Sequence, residues 1–420
     1  MPKTTVSIIG EDFYINGKKT YSESPKPGVQ GLLMNARFIQ GIFDAQNCRE
    51  RFDRFGKIFD PDRNTGDLIA QLPSWYRYGL RAFTVGLQGG GAIFAFDDCA
   101  EYVNNPFSVD GLRLDAQYAK RLDRLIRAAD EIGMAVIVNF FYISQNQRIK
   151  GAAGIINALK TGLDFLTEGG YANVLVDIAN EHDISACAHD IIRTEEGMAA
   201  LIGIAREHCG GRFPISCSFC GGVVKEQVAR AADFVLIHGN GLTRQGYYNL
   251  TRRARELAPG KPIVCNEDSQ AIGNMAASVR EHVSWGYYNN ATKQEPPADW
   301  SPREGEDLFF ANRMAMELGL PHDDIPSGGQ IFLQGLKADE TDRDKRWIRL
   351  ASLFPEKIDY VDFYLDGKLS YTCYDEPFLF RYATSWIMSP LLDNEWREEI
   401  KAVAHMRDGG AREFVGKKIH

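Results

Sequence analysis

Eight short apolar runs, each followed by polar or amphipathic sequence, occupy the chain up to about residue 320. They are Val29–Met34, Ala82–Leu87, Met134–Phe141, Asn173–Ile178, Phe213–Ser218, Phe234–His238, Pro262–Asn266 and His282–Tyr287. Short, largely apolar runs suit strands buried on both faces, which is how parallel sheets are built. The segments between them carry helix signals. Asp115 opens a stretch to Ile132 in which Tyr118, Leu122, Leu125, Ile126 and Ala129 recur at helical spacing. Gly133 follows where a left-handed helix cap is wanted. Residues 153–168, 194–208, 244–257, 270–283 and 304–318 behave in the same way. This alternation predicts parallel β/α units, and eight is the strand number that closes a (β/α)8 TIM barrel.

The flanks read differently. Residues 6–23 suggest a β-hairpin turning at Asn16-Gly17, a pair suited to the positive φ angles of a type I′ turn. Ahead of a barrel, such a hairpin is expected to cover its lower end. Beyond Pro326-Ser-Gly-Gly, strand-like pieces take over: Tyr360–Leu365, a turn at Asp366-Gly367, Lys368–Cys373, and Glu399–Met406 running to Asp408-Gly-Gly. Strands with turn signals over this length predict an all-β sandwich of immunoglobulin type. The expected fold class is therefore α/β, a TIM barrel over residues 1–326 with an immunoglobulin-like sandwich over 327–420. A barrel of about 250 residues with insertions leaves room for one such appendage in 420 residues.

Charge excludes some partners. The net charge of −8 comes with no block of Lys or Arg, so nothing marks a nucleic-acid surface. No apolar run approaches the roughly 20 residues that cross a bilayer. The opening Met1-Pro-Lys-Thr-Thr-Val lacks a secretory apolar stretch, which implies a cytoplasmic protein, or a secreted or periplasmic one whose leader has been removed. The eight cysteines are too sparse for a disulfide framework and several fall within apolar runs, which fits a reducing compartment.

In a parallel barrel, side chains at the C-terminal ends of the strands converge on the active site. The fourth run ends in Asp177-Ile-Ala-Asn180-Glu181-His182-Asp183 and the seventh in Ile263-Val-Cys-Asn266-Glu267-Asp268. Each places a Glu where an apolar strand leaves the core. Two carboxyl groups across a cleft are what glycosidic cleavage needs, one to protonate the leaving oxygen and one to attack or to stabilise positive charge on the sugar. Strands four and seven of an eight-membered ring face each other across the mouth. Trp285 on the eighth run suggests an apolar floor under a sugar ring. Phe141, Tyr142, Tyr287 and Trp300 are further stacking candidates. His238 and Asn240, leaving the sixth run, are placed to orient a carboxylate or bind hydroxyls, and Gln88 lies near the end of the second run.

Asn180-Glu181 at strand four with Glu267 at strand seven resembles clan A of the glycoside hydrolases, the cellulase-like retaining (β/α)8 superfamily. The likeness covers roughly residues 10–320 and does not select a family. It implies that Glu181 is the acid/base, Glu267 the nucleophile, and Asn180 a ligand for the hydroxyl next to the reacting carbon. An oligo- or polysaccharide substrate is implied, with no metal and no organic cofactor. The region of strand three, where many clan members carry a His, reads Asn139-Phe-Phe-Tyr142. Many also have an Arg late in strand two, whereas Arg81 opens its run.

Other readings compete. The sandwich appendage leaves open a non-catalytic carbohydrate-binding protein on a hydrolase-like barrel. His182-Asp183 and His189-Asp190, with His238, suggest a metal-dependent hydrolase, although no metal-binding spacing supports it. Cys217-Ser-Phe-Cys220 has redox spacing without a thioredoxin-like context. The glycines of Gly86–Gly91 lack the Lys-Ser/Thr of a phosphate loop and suit close backbone approach instead.

Overall fold

The computed structural model describes residues 2–53, 56–89, 102–294, 296–336, 345–381 and 390–418. Three short strands, β1 (Val6–Ile9), β2 (Asp12–Ile15) and β3 (Lys18–Lys19), form an antiparallel sheet. Asn16 and Gly17 take φ of 53° and 74° and join β2 to β3, as a type I′ turn requires. A second tight turn at Gly10, φ 62°, adds β1, so the expected single hairpin is a three-stranded meander. Phe13 of β2 packs among Leu33, Ala82, Ala135, Ile137, Leu175, Phe234, Leu236 and Val264. The meander therefore plugs the space between the parallel strands.

Those strands are β4 (Asn35–Arg37), β5 (Ala82–Gly86), β6 (Ala135–Phe141), β7 (Val174–Ala179), β8 (Ile215–Ser216), β9 (Val235–His238), β10 (Ile263–Glu267) and β11 (Gly286–Tyr287). Six of them pair in parallel in the order β11-β4-β5-β6-β7-β8, and β9 pairs in parallel with β10. Isolated parallel bridges join Ser218 to Leu236, Val264 to Ser284 and Asp268 to Tyr287. The strands are buried along both faces, which explains the continuous apolar runs. Only the first departs from its expected position. Val29–Met34 is the approach to β4, and pairing begins at Asn35, whose N–H donates to Trp285 O at 3.0 Å. Polar Asn35 and Arg37 hide this strand from a reading based on apolar runs.

Helices separate the strands: α1 (Pro61–Arg77), α2 (Ala116–Ile132), α3 (Gly151–Glu168), α4 (Asp190–Arg193), α5 (Glu195–His208), α6 (Glu226–Ala231), α7 (Arg244–Leu257), α8 (Gly273–Arg280) and α9 (Gly305–Leu318). The Asp115 carboxylate accepts the Gln117 and Tyr118 N–H groups at the start of α2, and Gly133 ends it at φ 87°. Helix α1 has no counterpart in the sequence reading because Gly66 and Pro73 interrupt its pattern. It forms nonetheless, with Asp60 accepting the Arg63 N–H and Pro61 at its first position. Among the described residues no helix is long and apolar enough to cross a membrane.

The remaining strands are antiparallel. β12 (Ile331–Gln334) pairs with β14 (Arg349–Ser352), and β13 (Lys345–Arg346) with β17 (Leu391–Leu392). β15 (Ile358–Leu365), β16 (Lys368–Cys373), β18 (Glu399–Met406) and β19 (Ala411–Lys417) form a sheet of order β16-β15-β18-β19. Asp366 and Gly367 turn β15 into β16 at φ 46° and 84°. This region has its own core, including Leu350, Val361, Phe363, Leu391, Trp396 and Ile400.

It is fastened to the helices before it. Phe332 meets Phe309 of α9 at 5.2 Å between ring centroids, and Arg313 Nη1 donates to Glu356 at 2.9 Å. Glu376 accepts the Gly273 N–H at the start of α8, at 2.8 Å. A side chain at Gly273 would put its Cβ 2.2 Å from a Glu376 carboxylate oxygen, so that carboxylate would have to move aside.

Two measurements check this packing. Phe13→Ala should lower unfolding free energy by about 3–5 kcal/mol in urea titrations; a loss under about 1 kcal/mol would mean that the meander is not a plug. Burial pushes the Glu376 carboxyl up to about 7 from 4.5, against the pull of the Gly273 N–H and Arg244. The native state thus keeps a proton that the unfolded chain has released. The resulting stabilisation is present at low pH and drains away as pH rises from about 4.5 through about 7, at up to about 1.4 kcal/mol per unit. Glu376→Gln should flatten the fall in thermal midpoint across that window, and an unchanged slope would refute the assignment.

Candidate active site

The C-terminal ends of four parallel strands bring charged side chains together. Arg37 ends β4, His238 ends β9, Glu267 ends β10, and Glu181 lies two residues beyond β7. His238 Nδ1 is 3.0 Å from Glu181 Oε1 and 3.6 Å from Glu267 Oε2. One carboxylate oxygen of each glutamate and the His238 ring nitrogen all lie within 4.8 Å of one another.

Glu267 is held at both oxygens. Asn240 Nδ2 donates to Oε1 at 2.6 Å, and Arg37 Nη1 lies 2.8 Å from Oε2 as an ion pair. Arg37 is buried, with its guanidinium 5.3 Å from the Tyr288 ring centroid and 5.9 Å from that of Tyr142. Burial works against the charge on His238, but the Glu267 and Glu181 carboxylates outweigh it and raise the imidazole above its ordinary value. The Glu267 side chain is 6% exposed and that of Glu181 15%, so the acidic tip nearer solvent is Glu181.

Asn180 is buried with its N–H on Phe141 O at 2.9 Å. Its Oδ1, the Oδ1 of Asn240 and the Nε2 of His238 are buried without a protein partner. Buried polar atoms left unpaired are costly, and three of them around one carboxylate pair mark a place for hydroxyl-bearing ligand or water. Tyr142 reaches the same place through Arg37.

The other sequence candidates do not converge there. Gln88 is buried and braces the chain, with Nε2 donating to Asn105 at 2.8 Å and Oε1 accepting the Tyr142 N–H at 2.9 Å. Trp285 is fully buried, its indole N–H on Asp268 at 2.8 Å and its ring 5.6 Å from Phe310 of α9. Tyr287 stacks on the same Phe310 at 4.1 Å. Side chains alternate along a strand, so both aromatics face α9, and Tyr288 is the one that meets Arg37. Trp300 is buried against Phe38 at 5.5 Å with its indole N–H on Asn64. Phe140 faces α3, where it leaves no room for a side chain at Gly162.

The residues of the suspected metal cluster are engaged elsewhere. His182 Nδ1 meets Ile192 O at 3.0 Å and His189 Nε2 meets Asn146 O at 3.1 Å. Asp183 accepts the Cys220 N–H at 2.8 Å, and Asp190 pairs with Arg193. Glu181, His238 and Glu267 have the spacing of a metal triad, but the Arg37 guanidinium already supplies a fixed cation to Glu267. Cys217 and Cys220 are free thiols; Cys99, Gly90 and Gly91 lie outside the described residues.

Arg37 and Tyr288 are absent from the sequence candidates. Both stand just past an apolar run, at Val29–Met34 and His282–Tyr287, and extending each run to its first charged or amphipathic residue would have found them.

No protein-family model and no curated protein sequence matches the chain. Solved structures do. A protein from Bacteroides vulgatus ATCC 8482, described provisionally as a glycoside hydrolase, aligns over 99% of this chain and 76% of its own, at 12% identity and a TM-score of 0.51. That is a likeness of fold. A β-1,4-D-mannanase from Cryptopygus antarcticus aligns over 78% of this chain and 97% of its own, at 11% identity and a TM-score of 0.49. An endo-β-1,4-mannanase from Thermotoga petrophila covers 92% and 97%, at 11% identity and a TM-score of 0.46.

The Arg37–Glu267 pair makes a prediction independent of activity. Arg37→Met strands a buried carboxylate and should cost about 3–5 kcal/mol in denaturant titrations. Adding Glu267→Gln to that variant should recover much of the loss; additive costs would mean that the two side chains are not coupled.

Proposed function

We propose that this protein is a retaining glycoside hydrolase acting on a β-linked or arabinofuranosidic oligo- or polysaccharide. One observation carries the reading. Two glutamates at the ends of facing parallel strands hold carboxylate oxygens within 4.8 Å, and one of the two is anchored at both oxygens. The fold likeness to a provisionally described glycoside hydrolase is in keeping with it. The bridges between β8 and β9, and between β10 and β11, support a closed (β/α)8 barrel. The separate core of the C-terminal strands supports a barrel domain over 1–326 and an immunoglobulin-like one over 327–420.

In the first step a Glu267 oxygen bonds to the anomeric carbon as the glycosidic C–O bond breaks. The bond's electron pair passes to the leaving oxygen, which takes a proton from Glu181. Water then attacks the glycosyl-enzyme from the vacated side, giving its proton to Glu181, and Glu267 departs as a carboxylate. Arg37 and Asn240 hold the two oxygens of Glu267 and aim the carboxylate. In this reading Asn180 binds the hydroxyl beside the reacting carbon, and His238 lies between the two carboxyl groups. A metal-dependent route would set a second cation beside Arg37, and that repulsion disfavours it.

The test is a panel of 2,4-dinitrophenyl and phenyl β-glycosides and α-L-arabinofuranosides, with product stereochemistry followed by NMR. Retention in the first-formed sugar is expected, and Glu267→Gln should lose on the order of 10⁴-fold or more in kcat while folding normally. An inverted product, or substantial turnover by that variant, would rule out the reading.

A further inference from the structure

Glu181 has φ 47°, a left-handed backbone that a glutamate adopts at a cost. Its surroundings must hold it there: the Glu181 carbonyl accepts the Ile184 N–H at 3.1 Å, and the N–H side is held by one residue, Ser218, just past β8. The Ser218 hydroxyl oxygen accepts the Glu181 N–H at 3.3 Å, and the Ser218 carbonyl accepts the next N–H, of His182, at 3.1 Å. Ser218 is itself tied down from below. Its N–H donates to Asp177 Oδ1 at 3.0 Å, and its hydroxyl lies 3.2 Å from Asp177 Oδ2 and from Ala179 O. Asp177 is completed by Asn139 Nδ2 at 3.1 Å.

We infer that Asp177 and Ser218 are positioning residues for the acid/base, forming a buried clamp that fixes the backbone turn from which Glu181 projects. The inference rests on the acid/base role proposed above for Glu181. Neither residue touches the reacting atoms: both are fully buried, and Asp177 lies within β7, four positions before Glu181. An ionised Asp177 accepts the hydroxyl proton of Ser218, which leaves a lone pair of Oγ for the Glu181 N–H. A buried carboxylate is expensive, and burial pushes Asp177 up to about 6 against the influence of His238, Asn139, the Ser218 N–H and Arg37. Core packing gains nothing from an acid here that an apolar residue would not supply more cheaply. Its use is to hold Ser218 in one rotamer and Glu181 in one direction.

A loosened clamp should impair proton delivery and spare attack by Glu267, and leaving-group chemistry separates the two. Phenolate needs a proton to depart, whereas 2,4-dinitrophenolate does not. For Ser218→Ala, kcat/KM on the best phenyl glycoside of the panel should fall about 10- to 100-fold, part of the 10²–10⁴ that general acid catalysis contributes. On the matching dinitrophenyl glycoside it should stay within about threefold. On that substrate kcat and KM should fall together, as the glycosyl-enzyme accumulates, and sodium azide should restore kcat by replacing the water that Glu181 no longer activates. Asp177→Asn, of nearly the same shape, should behave alike and carries the test if Ser218→Ala does not fold. Equal losses on both glycosides, or no loss on the phenyl one, would overturn the clamp. Glu181→Gln on the same pair tests the acid/base assignment alone: if it shows no leaving-group split, that assignment fails rather than the clamp.

Discussion

A guanidinium with no exposed side-chain surface lies 2.8 Å from a carboxylate that is almost as deeply buried. Neither charge is tolerable alone in that position, since each loses its hydration and gains little but the other. The pair therefore sets conditions on everything near it. β4 and β10 must end at the same level, Tyr142 and Tyr288 must bring their ring faces to Arg37, and Asn240 must saturate the second oxygen of Glu267. A buried ion pair is a poor source of stability compared with apolar packing, so its presence points to a task. Here it fixes the Glu267 carboxylate in one orientation beside the more exposed Glu181.

Much of this was legible in the chain. Strands β5 to β7 read directly because they are apolar on both faces, and α2 because its carboxylate cap and terminal glycine bracket a clean helical period. Glu181 and Glu267 stood out as acids at the ends of such runs. The features that escaped are those in which tertiary structure overrides local pattern. Arg37 sits on a strand whose inward residues are polar, so apolar content marks its approach and not the strand itself. Helix α1 carries Gly66 and Pro73 and survives through its cap and its buried face. Trp285 falls just before β11 and packs toward Phe310 of α9, whereas Tyr288, of opposite parity, meets Arg37. Ser218 is marked only as the end of the fifth run, since its importance lies in what folds onto it.

The C-terminal strands are less independent of the site than their separate core suggests. Glu376 accepts the first N–H of α8, and Asn274, the next residue of that helix, donates to Asp268 at 3.0 Å. Asp268 follows Glu267 and also takes the Trp285 indole N–H. Burial pushes the Asp268 carboxyl up to about 7, with the Asn274 and Trp285 hydrogen bonds opposing. Trp285 thus supports the neighbour of Glu267 from behind. A chain of hydrogen bonds leads from the antiparallel region, through one short helix, to the peptide that carries Glu267.

Gly273 and Glu376 fit so closely that no other residue can stand at the first position without displacing the acid. Regions of multidomain chains are often exchanged between proteins as self-contained parcels, which works when the seam is a linker or a forgiving polar surface. This seam is a keyed joint. A chimera that kept the parallel strands and helices and imported a foreign antiparallel region would have to bring its own carboxylate to the same helix end or leave a void against a bare backbone amide. Glycine and glutamate would be inherited as a couple, although 103 positions separate them in the chain.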